Sequence, residues 1–371
     1  SGYVLTVVPS DAETPYRVDC NAEHTEYYDA RGRLVRIVDH FGFETRLEYR
    51  EGLVIVTDGI TGKKLFLQKN GEGRLTQICD ENERTVNFCY WKNCLTCVTD
   101  VNGNSLRYTY DEAGRVLTGT DSTGECFFTD TYDSKGRVIR QKSGETDAVS
   151  TFTYFDNGKR ETTDRNGKLS VREYNKDGLL VKYTDENGNS QTYSYDENCN
   201  MTAETDAKGN AVRKTYDARN KPTVIVGKNG NKTICTYDRN GNLTSLVYPN
   251  GGKETFVYNE RNQKVSHTDL RGTVTTYTYD ENGMPESVKV GERKAVRYEY
   301  ENGLLMSVTD SLDNRTRYEY NAIGQMTAQI DPDNGRTSYE YDRAGNVTKV
   351  TDSQGCIITN EYDANHQQIA H

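Results

Sequence analysis

Short runs of alternating aromatic and polar residues recur along this chain, separated by turns rich in glycine, asparagine and aspartate. In Tyr193-Ser194-Tyr195 the two rings alternate with a polar residue, which is typical of a β-strand that buries one face. A turn and a second short apolar run then follow, as between Gly178 and Asp185. No stretch has a sustained 3.6-residue period. The pattern therefore predicts two strands and two turns per period, and a fold that is nearly all β.

Tyrosine marks the period of this pattern. The spacing between successive phrase-ending tyrosines is 20, 21 or 22 residues, except for a gap of 41 between Tyr49 and Tyr90. That gap equals two periods with a missing tyrosine near Lys69. A fixed period indicates a repeat architecture. We predict a continuous antiparallel meander of hairpins, which native strand twist would coil into a long, spiralling sheet.

The repeats extend over almost the whole chain. Residues 26–371 form an array of about 17 repeats, whereas residues 1–25 are the least repetitive part. The run from Tyr3 to Val8 is β-like and ends at Pro9. We predict that residues 1–25 are a degenerate first repeat or a strand that covers the first edge of the array, because terminal units of an array differ from the rest.

The turns have a distinctive chemistry. Asparagine or glycine at these positions supplies the positive φ angles that tight hairpin turns demand, and the aspartate after each tyrosine can cap its turn by accepting a backbone N–H. Asn220 and Asn262 stand where other repeats have glycine, and asparagine tolerates that conformation next best. Asparagine precedes glycine at positions Asn70, Asn102, Asn157, Asn166, Asn187, Asn229, Asn240, Asn250, Asn282, Asn302 and Asn334.

The two faces of the predicted sheet differ. Alternation places Tyr193 and Tyr195 on one face, where tyrosines of adjacent hairpins would form a ladder, and Ser194 on a solvated face. The return strand is ambiguous, because Val347 and Val350 are three residues apart and point to opposite faces unless a bulge intervenes.

Composition narrows the range of possible functions. The apolar content of 34% and the charged content of 27% lean toward disorder, but 27 tyrosines in register favour a thin folded sheet. The net charge of −10 argues against a nucleic-acid partner, which needs a basic face. No apolar run of about 18 residues exists, so the sequence predicts no membrane span.

Few residues are candidates for catalysis or metal binding. Nine cysteines do not follow the repeat, which favours single reduced thiols over a disulfide framework. The acidic turns suggest calcium, yet they lack a twelve-residue calcium loop, and turns need these residues anyway. No histidine recurs with a fixed nucleophile, so we predict no catalytic residue and no cofactor. The one weak metal candidate is a zinc site formed by Cys79, Cys89, Cys94 and Cys97, in which the last two have the spacing of a zinc pair.

Residues 28–34 (YDARGRL) and 341–347 (YDRAGNV) resemble the YD repeat of bacterial Rhs proteins, toxin-complex proteins and teneurins. The resemblance covers roughly residues 26–371 and implies a sheet that spirals into part or all of a hollow shell. In bacteria such a shell encloses a toxic C-terminal polypeptide, and in teneurins it is an adhesion scaffold. The structural repeat positions are Tyr28, Tyr110, Tyr132, Tyr195, Tyr216, Tyr237, Tyr279, Tyr320, Tyr341, Tyr362, Gly32, Gly114, Gly136, Gly241, Gly324 and Gly345.

The sequence departs from the bacterial pattern in lacking a self-cleaving segment with paired aspartates, since the Asp331-Pro332 pair lies within an ordinary turn. We therefore expect a non-enzymatic segment of an Rhs-type shell, secreted or at the cell surface. Its expected partners are the rest of a larger polypeptide and an enclosed cargo, and open sheet edges favour self-association. The alternative is a cell-surface adhesion or carbohydrate-binding module that uses exposed tyrosines.

Overall fold

The computed structural model describes residues 3–7, 11, 13–20, 24–39, 41–144 and 148–371. Strands follow one another along the described part of the chain. They are β1 Tyr3–Val7, β2 Tyr16–Cys20, β3 His24–Tyr28, β4 Leu34–Asp39, β5 Glu44–Arg50, β6 Leu53–Asp58, β7 Lys64–Lys69, β8 Leu75–Asp80, β9 Thr85–Trp91, β10 Cys94–Thr99, β11 Ser105–Tyr110, β12 Val116–Thr120, β13 Cys126–Tyr132, β14 Val138–Ser143, β15 Val149–Tyr154, β16 Lys159–Thr163, β17 Leu169–Tyr174, β18 Leu180–Thr184 and β19 Ser190–Tyr195. The remaining strands are β20 Met201–Thr205, β21 Ala211–Tyr216, β22 Pro222–Val226, β23 Lys232–Tyr237, β24 Leu243–Val247, β25 Lys253–Tyr258, β26 Lys264–Thr268, β27 Val274–Tyr279, β28 Pro285–Val290, β29 Val296–Glu301, β30 Leu304–Thr309, β31 Arg315–Tyr320, β32 Met326–Ile330, β33 Arg336–Tyr341, β34 Val347–Thr351, β35 Ile357–Thr359, β36 Glu361–Tyr362 and β37 Gln368–Ala370.

The first 35 strands form one sheet, and β36 pairs with β37 in a separate hairpin. Strands adjacent in sequence pair antiparallel, as Tyr193 with Glu204 in one hairpin and Thr184 with Ser190 in the next. The predicted all-β meander is thus confirmed. None of the described residues belongs to a helix long and apolar enough to cross a bilayer.

The array begins earlier than the regular repeats. β1 and β2 pair in register from Tyr3 with Cys20 to Val7 with Tyr16, and β2 pairs in turn with β3. The amino-terminal residues therefore add two strands to the first edge of the sheet. Val8 and Pro9, where the predicted first run ends, lie outside the described residues.

The contacts divide the chain into two compact units. One consists of residues 90–97 and 105–253, and the other of residues 2–89, 98–104 and 254–371. The second unit therefore brings together early and late parts of the sequence.

The fold buries little of the protein's surface. The accessible surface is 22883 Å², compared with about 15,000 Å² expected for a compact monomer of this mass. Five apolar residues are buried in the part of the chain that the structure describes: Cys20, Val54, Ile55, Cys235 and Ala328. Because a single sheet has no second layer to cover it, most side chains stay half-exposed, and tyrosine suits that position with its apolar ring and polar tip.

The turns use a three-residue loop. In the turn after β18, the N–H of Gly188 donates to the Asp185 carbonyl (3.0 Å) and the N–H of Asp185 donates to the Asn189 carbonyl (2.9 Å). This is a type I turn followed by a glycine with positive φ, here 82°. The predicted Asx cap is confirmed, since Asp185 Oδ1 accepts the N–H groups of Asn187 and Asn189 at 2.9 and 2.8 Å.

This turn geometry corrects the expectation for the Asn-Gly pairs. All eleven pairs lie in the described ranges, yet only Asn302-Gly303 has positive φ at both residues. In most of the others the asparagine occupies the third position of a type I turn, where φ is negative, and glycine alone takes the left-handed conformation. A three-residue loop needs one such residue, whereas a two-residue type I′ turn needs two.

One turn carries a residue poorly suited to this conformation. Cys199 has a φ of 65° and occupies the slot that glycine fills elsewhere. We expect Cys199→Gly to raise the free energy of unfolding by about 1 kcal/mol, because glycine has no Cβ to strain there. Urea unfolding measures the change. Cys356→Gly is the matched control at an exposed cysteine without positive φ, and there glycine should lower stability slightly. Equal effects of the two substitutions would contradict the strain at Cys199.

Candidate functional site

Most tyrosine phrases end at a β-bulge, although the hairpins at Tyr49 and Tyr154 pair without one. In the hairpin of β33 and β34, Glu340 pairs with Lys349 but Tyr341 pairs with Val347, so Thr348 is an extra residue. The bulge brings Val347 and Val350 opposite Tyr341 and Tyr339 on one face, which settles the ambiguity of the return strand. The same shift recurs at Lys69, which lies in the predicted slot of the missing tyrosine.

The hydroxyl of the second tyrosine ties each repeat to the one before it. Tyr195 donates to the carbonyl oxygen of Leu180, the residue at which the preceding bulge begins, at 2.9 Å. Eleven tyrosines make the equivalent bond, at 2.5–2.9 Å, to a carbonyl 15 or 16 positions earlier, and we call them the tyrosine clamp: Tyr49, Tyr110, Tyr132, Tyr154, Tyr195, Tyr216, Tyr237, Tyr279, Tyr320, Tyr341 and Tyr362. The clamp supplies a partner where the bulge disrupts the ladder.

The aspartate after the tyrosine caps the turn, and its arginine partner contacts the next repeat. Asp111 Oδ1 accepts the N–H groups of Ala113 and Arg115, and its Oδ2 accepts the Arg115 guanidinium at 2.6 Å. The Arg115 guanidinium lies 4.8 Å from the ring centroid of Tyr132 in the following repeat. The N–H of Arg115 is the largest of the interactions that hold the pKa of Asp111 below its ordinary value. Asparagine can replace the arginine, as Asn200 Nδ2 donates to Asp196 Oδ2 at 3.0 Å.

The predicted repeat residues occupy equivalent positions in their strands and turns. The tyrosines are the last residues of their strands, and all but Tyr28 belong to the clamp; Tyr28 donates instead to Glu26 Oε2 at 2.6 Å. Asn220 and Asn262 have φ angles of 62° and 58°, as predicted. The six predicted glycines have φ between 74° and 99°: Gly32, Gly114, Gly136, Gly241, Gly324 and Gly345.

The four cysteines of the predicted zinc candidate lie on consecutive strands. Cys79 is on β8, Cys89 on β9, and Cys94 and Cys97 on β10. In the part of the chain that the structure describes, ligand atoms of this kind converge instead at Cys20, His24 and Glu26, where they lie within 4.8 Å of one another. Cys94 and Cys97 are three positions apart on one strand and therefore face opposite sides of the sheet, which does not suit a shared metal ion.

Hairpin turns from distant parts of the sequence meet within the second unit. His366 Nε2 lies 2.7 Å from Asp100 Oδ2, and Arg343 Nη2 donates to the Glu83 carbonyl at 3.2 Å; these pairs are 266 and 260 positions apart. Gly303 lies so close to the turn after β6 that a Cβ there would be 3.0 Å from Ile60 Cγ2. We call these turn-to-turn contacts the seam. Beside them, Lys64 and Asp80 help to line a cleft of about 340 Å³ that Ile323 reaches from the late part of the sequence.

Burial favours the neutral form of the clamp hydroxyls. Burial raises the pKa of Tyr237 to about 12 and also raises the pKa values of Tyr216, Tyr279 and Tyr320. Because the folded pKa lies above the unfolded value of about 10, this stabilisation is complete below pH 10 and is lost as the pH rises toward the folded pKa.

We therefore expect the protein to lose stability steeply between about pH 10 and 12, in step with tyrosinate formation. Urea unfolding at increasing pH, with tyrosinate followed by ultraviolet absorbance, measures both quantities. Tyr237→Phe should make the loss of stability over this range smaller. Complete tyrosinate formation in a protein that stays folded would contradict a role for the neutral hydroxyls.

Together these features define a class of protein: a repeat protein built as an antiparallel meander, in which most two-stranded units are bulged, capped by aspartate and clamped by tyrosine. The family model described as RHS Repeat matches residues 95–125, 174–211, 216–255, 237–273, 298–335 and 320–355. The chain belongs to the Rhs-repeat (YD-repeat) proteins. No curated protein sequence matches it significantly.

Solved structures share the fold at low sequence identity. The crystal structure of TcdB2-TccC3 without its hypervariable C-terminal region is 14% identical, with a TM-score of 0.59 over 95% of this chain and 23% of that chain. The Photorhabdus luminescens Tc holotoxin pore is also 14% identical, with a TM-score of 0.54 over 94% of this chain and 22% of that chain. This chain thus spans about a quarter of the length of these relatives.

Proposed function

We propose that this chain is a non-enzymatic segment of the wall of an Rhs-type container, which encloses a C-terminal polypeptide of the same larger protein. The observation that carries the proposal is the seam. Turns near Glu83 and Asp100 dock on turns near Arg343 and His366, so hairpins that are 260 or more positions apart in the sequence are in contact. A sheet that is continuous along its strands and sealed by such contacts would exclude proteases and other macromolecules.

The low burial supports the same function. The surface exceeds that of a compact monomer of equal mass by about half, as expected for a wall whose second face is meant to meet other parts of the assembly. The solved structures of similar fold include TcdB2-TccC3 without its hypervariable C-terminal region, and such a region is the kind of segment that the wall would enclose. We propose secretion or display at the cell surface on the same basis.

The repeat residues serve this function as structural elements. The clamp hydroxyls donate to backbone carbonyls and the turn carboxylates cap their own turns, as for Tyr195 and Asp185. This internal use of the tyrosines gives no specific support to the alternative of a carbohydrate-binding surface.

Protease protection tests the proposal in the larger polypeptide that carries this segment. Trypsin should cleave the C-terminal cargo far more slowly within the intact protein than when the cargo is free. Gly303→Leu would wedge the seam against Ile60 and should speed cleavage about tenfold, the effect of making opening about 1.4 kcal/mol easier.

Gly230→Leu is the matched control. Gly230 has a φ of 79°, close to the 76° of Gly303, but a Cβ there meets nothing within 4 Å. The control variant should protect the cargo as well as the wild type does. Equal cleavage rates for the free and the attached cargo in the wild type would contradict enclosure.

A further inference from the structure

We propose that Cys20, His24 and Glu26 form a binding site for Zn²⁺ or a similar divalent metal ion at the amino-terminal hairpin of the array. Their ligand atoms, one sulfur, one imidazole nitrogen and one carboxylate oxygen, all lie within 4.8 Å of one another. This site is independent of the enclosing function proposed above.

The hairpin of β2 and β3 explains why the three side chains converge. Cys20 pairs directly with His24, and directly opposed residues project to the same face of a sheet. His24 and Glu26 are two positions apart on β3 and therefore share that face as well. The cluster is thus fixed by the backbone register of two strands, not by loop residues.

The spacing suits a tetrahedral metal. His24 Nε2 and Glu26 Oε1 are 3.3 Å apart, which is longer than the usual N–H···O distance of about 2.9 Å. Two ligand atoms bound at about 2.1 Å in a tetrahedron would be about 3.4 Å apart. Three protein ligands of the types Cys, His and Glu leave one position for water.

Electrostatics also favours a cation. Cys20 is only 3% exposed, so a metal ion bound there would compensate the cost of burying its thiolate form. A thiolate and a carboxylate together would neutralise a divalent ion.

Tyr28 orients the carboxylate from outside the cluster. It donates to Glu26 Oε2 at 2.6 Å and leaves Oε1 directed at His24. This is the arrangement in which a neighbouring hydrogen bond fixes a metal ligand. It also gives a reason why Tyr28 departs from the tyrosine clamp, although it occupies the clamp position of its repeat.

Cobalt titration of the reduced, chelator-treated protein tests the site. We expect one Co²⁺ per chain, a near-ultraviolet thiolate-to-cobalt absorption band, visible bands of tetrahedral intensity, and displacement of cobalt by Zn²⁺. Cys20→Ser should abolish the thiolate band, and Tyr28→Phe should weaken binding by about 10- to 100-fold. Circular dichroism of each variant verifies the fold.

Two further variants make the result decisive. Cys94→Ser combined with Cys97→Ser removes the Cys-x-x-Cys pair on β10 and should leave the cobalt spectrum unchanged. His24→Gln keeps every thiol and should still lower the affinity at least tenfold, even if Cys20→Ser fails to fold. A wild type without the thiolate band, or a band that survives Cys20→Ser, would overturn the site.

Discussion

We expect Gly158→Ala to lower the free energy of unfolding by about 3 kcal/mol. Gly158 has a φ of 82°, and a Cβ at this position would lie 2.5 Å from the carbonyl oxygen of Tyr174. The same approach allows the Tyr174 N–H to donate to the Gly158 carbonyl at 3.1 Å. Alanine would therefore combine strain at positive φ with a backbone clash that no rotamer change can relieve.

Gly188→Ala separates the two contributions to this loss. Gly188 also has a φ of 82°, but a Cβ there meets nothing within 4 Å. Its substitution should cost only about 1 kcal/mol, which is the strain alone. Urea unfolding followed by circular dichroism measures both variants, which lie in the same unit of the chain. Equal losses would show that the close approach of Gly158 and Tyr174 does not matter.

The second large effect concerns the tyrosine clamp. Tyr320→Ala should cost about 3 kcal/mol, because it removes both a half-buried ring and a hydrogen bond. Tyr320→Phe should cost about 1 kcal/mol, since it leaves the Leu305 carbonyl without the hydroxyl that donates to it at 2.8 Å.

Tyr318→Phe is the control on the same strand. Tyr318 lies two residues before Tyr320 on β31 and faces the same side of the sheet, but its hydroxyl makes no hydrogen bond to any described residue. Its loss should change the urea midpoint little. If Tyr318→Phe and Tyr320→Phe are equally destabilising, the second tyrosine of the phrase has no special role.

Local sequence was sufficient for the strands, the solvated face and the aspartate caps. Alternation of two residues assigns Tyr193 and Tyr195 to one face, and short-range turn chemistry assigns Asp185 to its cap. These features depend on neighbours within a few positions. They repeat along the chain, so each repeat supports the prediction for the others.

Other features depend on contacts with residues of another strand, and the local pattern does not identify those residues. The bulge that aligns Val347 with Val350 appears only when the register of two strands is known. The target of the tyrosine hydroxyl is a carbonyl about 15 positions earlier, as Leu180 is for Tyr195, and a backbone carbonyl carries no residue-type signal. The clue available in the sequence was the excess of tyrosine over phenylalanine, 27 against 9 in the whole chain, since the two residues differ only in the hydroxyl.

The seam and the cluster at Cys20 were missed for related reasons. The partners of the seam are 260 and 266 positions apart, so no motif spacing could join them. Cys20 and His24 lie close in sequence, but they belong to the least repetitive region, where no other repeat supports a prediction. The signal would have been a cysteine and a histidine four residues apart, with an acid two residues after the histidine.

Small-angle scattering combined with light scattering on the purified chain tests the central claim, that this sheet is a curved wall segment. We expect a monomer of 42.0 kDa whose scattering profile is that of a curved or hollow particle. A straight rod, or a defined higher assembly formed through the sheet edges, would contradict the account and favour a filament or an adhesion stalk.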